Sequence, residues 1–163
     1  MALERHSFQA RPSTHGFLAE LGRRHMVVIL RSALREIVRH CVATAPIEAV
    51  GMLAGRDNVV EYCEALRNVV PPPHNQRAFL ADPYEQFVAE RSIAARGLKL
   101  IAIYHSHPDG GASLSAEDLA FSLERPCLQV VVAVSMAEPK DISLRAFRVD
   151  DAGVKEEPIS VRQ

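Results

Sequence analysis

The order of apolar patterns in this sequence predicts a single α/β domain of the α+β kind, a mixed β-sheet flanked by helices. Two observations carry that reading. Strand-sized runs rich in Val, Leu and Ile are interleaved with helix-period segments, and consecutive strand-like runs close the chain. The 163 residues are enough for one domain with a sizeable core and too few for two full-sized ones. Because 48% of the residues are hydrophobic and only 6% aromatic, that core is expected to be aliphatic.

The elements follow in order. Residues 1–24 contain neither an apolar signal core nor an amphipathic face and read as a loosely ordered extension, leaving 25–163 as the domain proper. His6 and His15 in it, and His25 just after it, are scattered and read as solvated rather than as a metal-binding tail. Over 30–45, Leu30, Leu34, Ile37, Val38, Cys41 and Val42 recur at helical spacing opposite Arg31, Arg35, Glu36 and Arg39. That pattern predicts an amphipathic helix closed by Pro46. "EAVGMLAG" and "NVVEYCEALRNVV", separated by the turn-like "RDN", predict a hairpin. "PPPHNQRAF" cannot be regular structure, since prolines remove donors and fix their own φ. Asp82 as cap, Pro83 at the first helical position and Gly97 past the end delimit a second helix.

"LKLIAIYHSH" is an extended apolar run ending in histidines, and "SAEDLAFSLER" is a third helix opening at Ser115. "CLQVVVAVS", "ISLRAFRV" and "VKEEPISV" read as three closing strands, the last two joined through "DDAG".

Charge and composition narrow the function. A net charge of −1 gives no electrostatic reason to expect nucleic acid, whose phosphates call for a basic face. No apolar run approaches the roughly 20 residues that span a bilayer, the longest, "MVVIL" and "VVVAV", being strand-sized. Cys41, Cys63 and Cys127 form no C-x-x-C pair and read as buried thiols of a cytoplasmic protein.

The chemistry concentrates in "YHSHPDGGASLSAED", residues 104–118. Side chains at i and i+2 of a strand leave one face about 6.6–6.8 Å apart at the backbone, so His105 and His107 can converge on one ion. If Ser115 caps the third helix, Asp118 lies in its first turn and can project back toward the strand end, across a loop that Gly110 and Gly111 allow to bend. An H-x-H pair alone, or S-x-x-D alone as a capping box, has an ordinary structural explanation. Together they supply three ligands and leave a fourth position free, the catalytic form of a zinc site. A hydrolytic site also needs a base beside the metal and outside its coordination sphere, and Glu48, a carboxylate at the entry to an apolar strand, fits by context. Ser106 and Ser113 have no adjacent base. Tyr104 points away from the ligands into the core. Asp109 and Glu117 read as solvated or helix-supporting carboxylates, and His74 and Asn75 are candidates for substrate contact.

Glu48-x-x-Gly51, then His105-x-His107-Pro108, six residues, and Ser115-x-x-Asp118 closely resemble the signature of the JAMM (MPN+) metallopeptidases, with every position filled. The similarity extends over roughly residues 26–160. It implies a curved, cytidine-deaminase-like sheet between helices and a zinc-dependent hydrolase of peptide or isopeptide bonds. Position by position it implies one Zn2+ held by His105, His107 and Asp118, with Glu48 as general base and then acid, and Ser115 steadying the oxyanion. The compact form resembles the bacterial branch, which implies as partner a small ubiquitin-like or sulfur-carrier protein with a C-terminal Gly-Gly tail; homodimerisation is left open. The same fold also serves as a non-catalytic partner-binding scaffold, and a related bacterial family with a similar motif is DNA-associated. The intact ligand set and the near-neutral charge weigh against these two alternatives.

Overall fold

The structure is a computed structural model and describes residues 26–124, 127–137 and 141–163. The expected extension over residues 1–24, with His6 and His15, and the adjoining His25 lie outside them.

Eight strands and three α-helices are present among the described residues: β1 (Val27–Leu30), α1 (Arg31–Thr44), β2 (Val50–Arg56), β3 (Val59–Leu66), α2 (Pro83–Ala95), β4 (Lys99–Pro108), α3 (Ala116–Glu124), β5 (Leu128–Val134), β6 (Ile142–Asp150), β7 (Gly153–Glu157) and β8 (Ile159–Arg162). The strands form one sheet in the order β7-β6-β5-β4-β2-β3-β1-β8. It is mixed, as expected: β4–β5, β1–β3 and β1–β8 are parallel and the other neighbours antiparallel.

The closing segment corrects one expectation. "VKEEPISV" is two strands, because Pro158 has no N–H to give a ladder and the chain changes partners there. Residues up to Glu157 pair with β6, whereas Ile159–Arg162 pair with β1 at the opposite edge. Laid flat at about 4.8 Å per strand, the two edges of an eight-stranded sheet would stand about 34 Å apart. They are joined through one residue, Pro158, whose carbonyl accepts a bond from Val27 N at 2.8 Å. The sheet is therefore strongly curved. The apolar run at 26–30 becomes β1, so the first helix begins at Arg31 rather than Leu30, which occupies the N-cap without a side-chain bond.

The second helix follows its sequence signals. Asp82 accepts the N–H groups of Tyr84 and Glu85, Pro83 opens the helix, and Gly97 lies beyond its end at φ 67°.

Alternation along the strands divides the core. Leu53, Ala102, Tyr104, Val130 and Val132 meet Ile37 and Cys41 of α1 on one face. Val50, Met52 and Ile103 meet Ala89 and Ile93 of α2 on the other. Tyr104 is fully buried, as expected, and its hydroxyl lies 2.8 Å from His40 Nδ1. Gly51 makes room for it: a Cβ there would stand 2.4 Å from the Tyr104 ring and from the Glu64 carbonyl oxygen. Since Tyr104 faces α1, period 2 turns His105 and His107 toward the α2 side and Ser106 back toward α1.

Candidate metal centre

Three segments distant in sequence converge at the C-terminal end of β4. His105 and His107 come from the strand, Asp118 from the first turn of α3, and Glu48 from the residues leading into β2, which pairs with β4. His105 is fully buried, and Glu48 and Asp118 are each 4% exposed.

His105 Nε2 and His107 Nε2 are 3.2 Å apart, and Asp118 Oδ2 is 3.3 Å from each. Among the described residues this is the group of His, Cys, Asp and Glu side chains whose donor atoms are close enough to share an ion. A tetrahedral zinc with bonds of about 2.0–2.1 Å has ligand–ligand edges of about 3.3 Å, so the donor triangle fits that ion. Without a proton or cation among them, these atoms would face one another as lone pairs.

Local structure sets each donor. The His107 Nδ1–H group is aimed at the Gly111 carbonyl at 3.0 Å, which leaves the Nε2 lone pair for the centre. Gly110 is required for space, because a Cβ would lie 2.9 Å from His107 Cβ. The left-handed residue of the turn is Asp109 at φ 56°, not either glycine, which corrects the expected source of the bend. Asp109 holds that conformation by accepting Met136 N at 2.7 Å, tying the loop to the end of β5.

Ser115 and Asp118 form the expected capping box. Ser115 N donates to Asp118 Oδ2 at 2.7 Å, and Asp118 N donates to Ser115 Oγ at 3.1 Å. The box and the candidate metal donor are thus one carboxylate, and the Ser115 hydroxyl keeps its own proton to donate elsewhere. Phe79, from the proline loop, stacks on His105 with centroids 4.5 Å apart and meets Phe121 edge-on at 5.3 Å, which closes the inner wall. His105 Nδ1 is buried without a hydrogen-bond partner.

Electrostatics separates the roles. Burial pushes the Glu48 carboxyl up to about 7; His107 pulls it down, and Asp118 and Glu117 add to the rise. Burial also opposes ionisation of Asp118, but hydrogen bonds to His105 and His107 outweigh it and hold this carboxyl far below the usual range. Desolvation lowers His105. For His107 desolvation is overcome by Asp118, the Gly111 carbonyl and Glu48, and the ring is raised. Glu48 Oε1 stands 3.9 Å from His107 Nε2, outside the donor triangle but beside it, and Oε2 has no hydrogen-bond partner. A buried carboxylate with free lone pairs next to a three-donor site is the construction of a hydrolytic metal centre rather than of a closed structural one.

The chain belongs to the family described as prokaryotic homologs of the JAB domain, whose model matches residues 30–150. It is 42% identical over 94 residues to a probable TtuB-protein conjugate cleaving protease of Thermus thermophilus, a match spanning 58% of this chain and 62% of that protein. It is 28% identical over 147 residues to the CysO-cysteine peptidase of Mycobacterium tuberculosis, covering 88% of this chain and 97% of that one. The solution structure of a Desulfitobacterium hafniense protein superposes with a TM-score of 0.72 at 29% identity, over 85% of this chain and 94% of that chain. A JAB1/MPN domain protein of Archaeoglobus fulgidus shares the fold at a TM-score of 0.53 and 18% identity, over 83% and 98% of the two chains.

The sequence reading thus named the five residues that meet here. It did not anticipate Phe79 at the inner wall, for which an aromatic residue in a proline-rich loop gives no signal. Asn75 is buried, its carbonyl accepting Glu48 N at 2.8 Å, so it supports the site from behind. His74 is exposed.

Proposed function

We propose that this protein is a zinc-dependent peptidase that hydrolyses the amide bond at the C-terminal tail of a small sulfur-carrier or ubiquitin-like protein. The observation that carries the reading is the donor triangle of His105, His107 and Asp118, with edges of 3.2–3.3 Å, and beside it the buried Glu48 carboxylate whose Oε2 has no hydrogen-bond partner. Zinc bound there supplies Lewis-acid polarisation of a scissile carbonyl and acidification of a water.

The side chains do the rest. Glu48, a buried carboxylate beside the donor triangle, accepts the proton of the attacking water and passes it to the departing amine. The Ser115 hydroxyl donates to the carbonyl oxygen as its charge grows. Gly111 and the capping box keep His107 and Asp118 from turning. Phe79 and Phe121 keep bulk water from the inner side of His105.

The choice of substrate rests on the relatives, which are named for a TtuB conjugate and for CysO-cysteine. A carrier tail ending in Gly-Gly, without side chains, is the segment that could reach a site this deeply set. The free thiols of Cys41 and Cys63 support a reducing, cytoplasmic setting, and no described helix is long and apolar enough to cross a membrane.

The test is to measure zinc in the purified protein and to follow, by mass spectrometry, cleavage of a carrier extended by one or more residues beyond its Gly-Gly. One zinc per chain is expected, with cleavage stopped by a chelator and restored by zinc. A zinc-loaded protein that leaves every such carrier intact would overturn the reading.

A further inference from the structure

The Glu48 side chain is not held by its own carboxylate, since Oε2 has no partner and Oε1 lies 3.9 Å from the nearest ring nitrogen of His107. Its aim must come from the main chain, and that main chain is tied at three points. Glu48 N donates to the Asn75 carbonyl at 2.8 Å, Ala49 N donates to Ser106 Oγ at 2.8 Å, and the Glu48 carbonyl accepts from Asn68 Nδ2 at 3.0 Å.

Asn68 does more than close the third tie. Its second Nδ2 bond goes to the Ala78 carbonyl at 3.0 Å, while Oδ1 accepts Val70 N and Leu80 N, each at 3.1 Å. The carboxamide has two hydrogens and two acceptor lone pairs, and all four are used on backbone. Ala78 and Leu80 flank Phe79, the ring stacked on His105. One half-buried side chain therefore fixes the strand entry that carries Glu48 and the loop that carries Phe79 in a single frame.

We propose that Asn68 is a positioning residue for the reaction: through its carboxamide it sets the distance of the Glu48 carboxylate and of the Phe79 ring from the donor triangle. No other amide side chain among the described residues bonds to both segments. The inference rests on the peptidase reading for its effect on turnover, and on the hydrogen bonds alone for the clamp.

Two variants test it. Asn68→Asp keeps the acceptor bonds to Val70 and Leu80 and removes both donor bonds, including the one to Glu48. Asn68→Ser is shorter, cannot reach Glu48, and still accepts from Val70 N. A misplacement of about 1 Å at a reacting group costs up to about 100-fold. For both variants kcat on the extended carrier is expected to fall about 10- to 100-fold, with KM and zinc affinity within about 3-fold of wild type, because no metal donor touches Asn68.

In a Glu48→Gln background the same changes should cost nothing further, since the group being aimed is already gone. Amide exchange at Glu48 and Ala49, read by NMR on the metal-free protein, should quicken in both variants. Retention of kcat within 2-fold, a parallel loss of zinc affinity, or full additivity with Glu48→Gln would each overturn the proposal. If the wild type itself fails to cleave, the peptidase reading falls, and the clamp is decided by exchange alone: unchanged protection at Glu48 and Ala49 in both variants would refute it.

Discussion

Replacing Glu48 by Gln separates what this carboxylate does for chemistry from what it costs the fold. In the metal-free protein burial raises its pKa from 4.5 to about 7, so the folded state binds this proton more tightly than the unfolded chain does. The favourable contribution is complete below pH 4.5 and is lost as pH rises through 7, where the folded protein must hold a buried anion. The gap of about 2.5 pH units, at about 1.36 kcal/mol each, caps the penalty at about 3.4 kcal/mol. Relaxation and water penetration around a buried carboxylate bring it to about 1–2 kcal/mol.

The Gln amide carries no charge at any of these pH values. Chelator-treated Glu48→Gln should therefore be more stable than wild type by about 1–2 kcal/mol at pH 8.5 and within about 0.5 kcal/mol at pH 5. Urea melts of both proteins at the two pH values measure it, while turnover of the zinc-loaded variant falls by 10² to 10⁴. A stability difference that does not change with pH would refute the buried, ionisable environment assigned to Glu48. Undiminished turnover would refute its role as base.

Other perturbations probe the remaining parts. His107→Ala removes one of three donors and should weaken zinc binding at least about 100-fold in a chelator competition, whereas retained affinity would break the ligand set. Ser115→Ala should cost about 1 kcal/mol of stability through the lost cap, and about 100-fold or more in kcat with zinc retained; a variant that loses only the stability leaves Ser115 a cap and nothing more. Gly51→Ala places a Cβ 2.4 Å from the Tyr104 ring and the Glu64 carbonyl, so thermal unfolding should show a loss of about 2–3 kcal/mol, and a neutral result would mean that β2 and β4 can move apart.

Much of this molecule was legible in the sequence because its determinants are local. The caps at Asp82 and Ser115, the 3.6-residue stripe of α1 and the apolar runs of β2, β4 and β5 each lie within one short window, where backbone preference and periodicity act directly. The pairing of His105 with His107 is legible for the same reason, since a two-residue strand period admits one outcome. The placement of Glu48 is not local. The chain pattern marks it only as an acid out of place, and its approach to His107 depends on the antiparallel register of β2 with β4, in which Val50 lies opposite His105.

What only tertiary structure decided shares one physical cause: hydrogen bonds and contacts between residues far apart in sequence are not encoded in the composition of either partner. The division of "VKEEPISV" between two sheet edges requires a curvature that no single strand reveals. Asn68 in "LRNVVPPP" has the composition of an ordinary loop residue until its three bonds to backbone 10 to 20 residues away are seen. Phe79 is one more apolar side chain until the loop folds it onto His105. By itself the sequence determined which groups could do chemistry and on which elements they ride. The fold determined the separations of 3.2–3.3 Å within the donor triangle and the burial that raises Glu48, because both arise only when three segments pack together and exclude water.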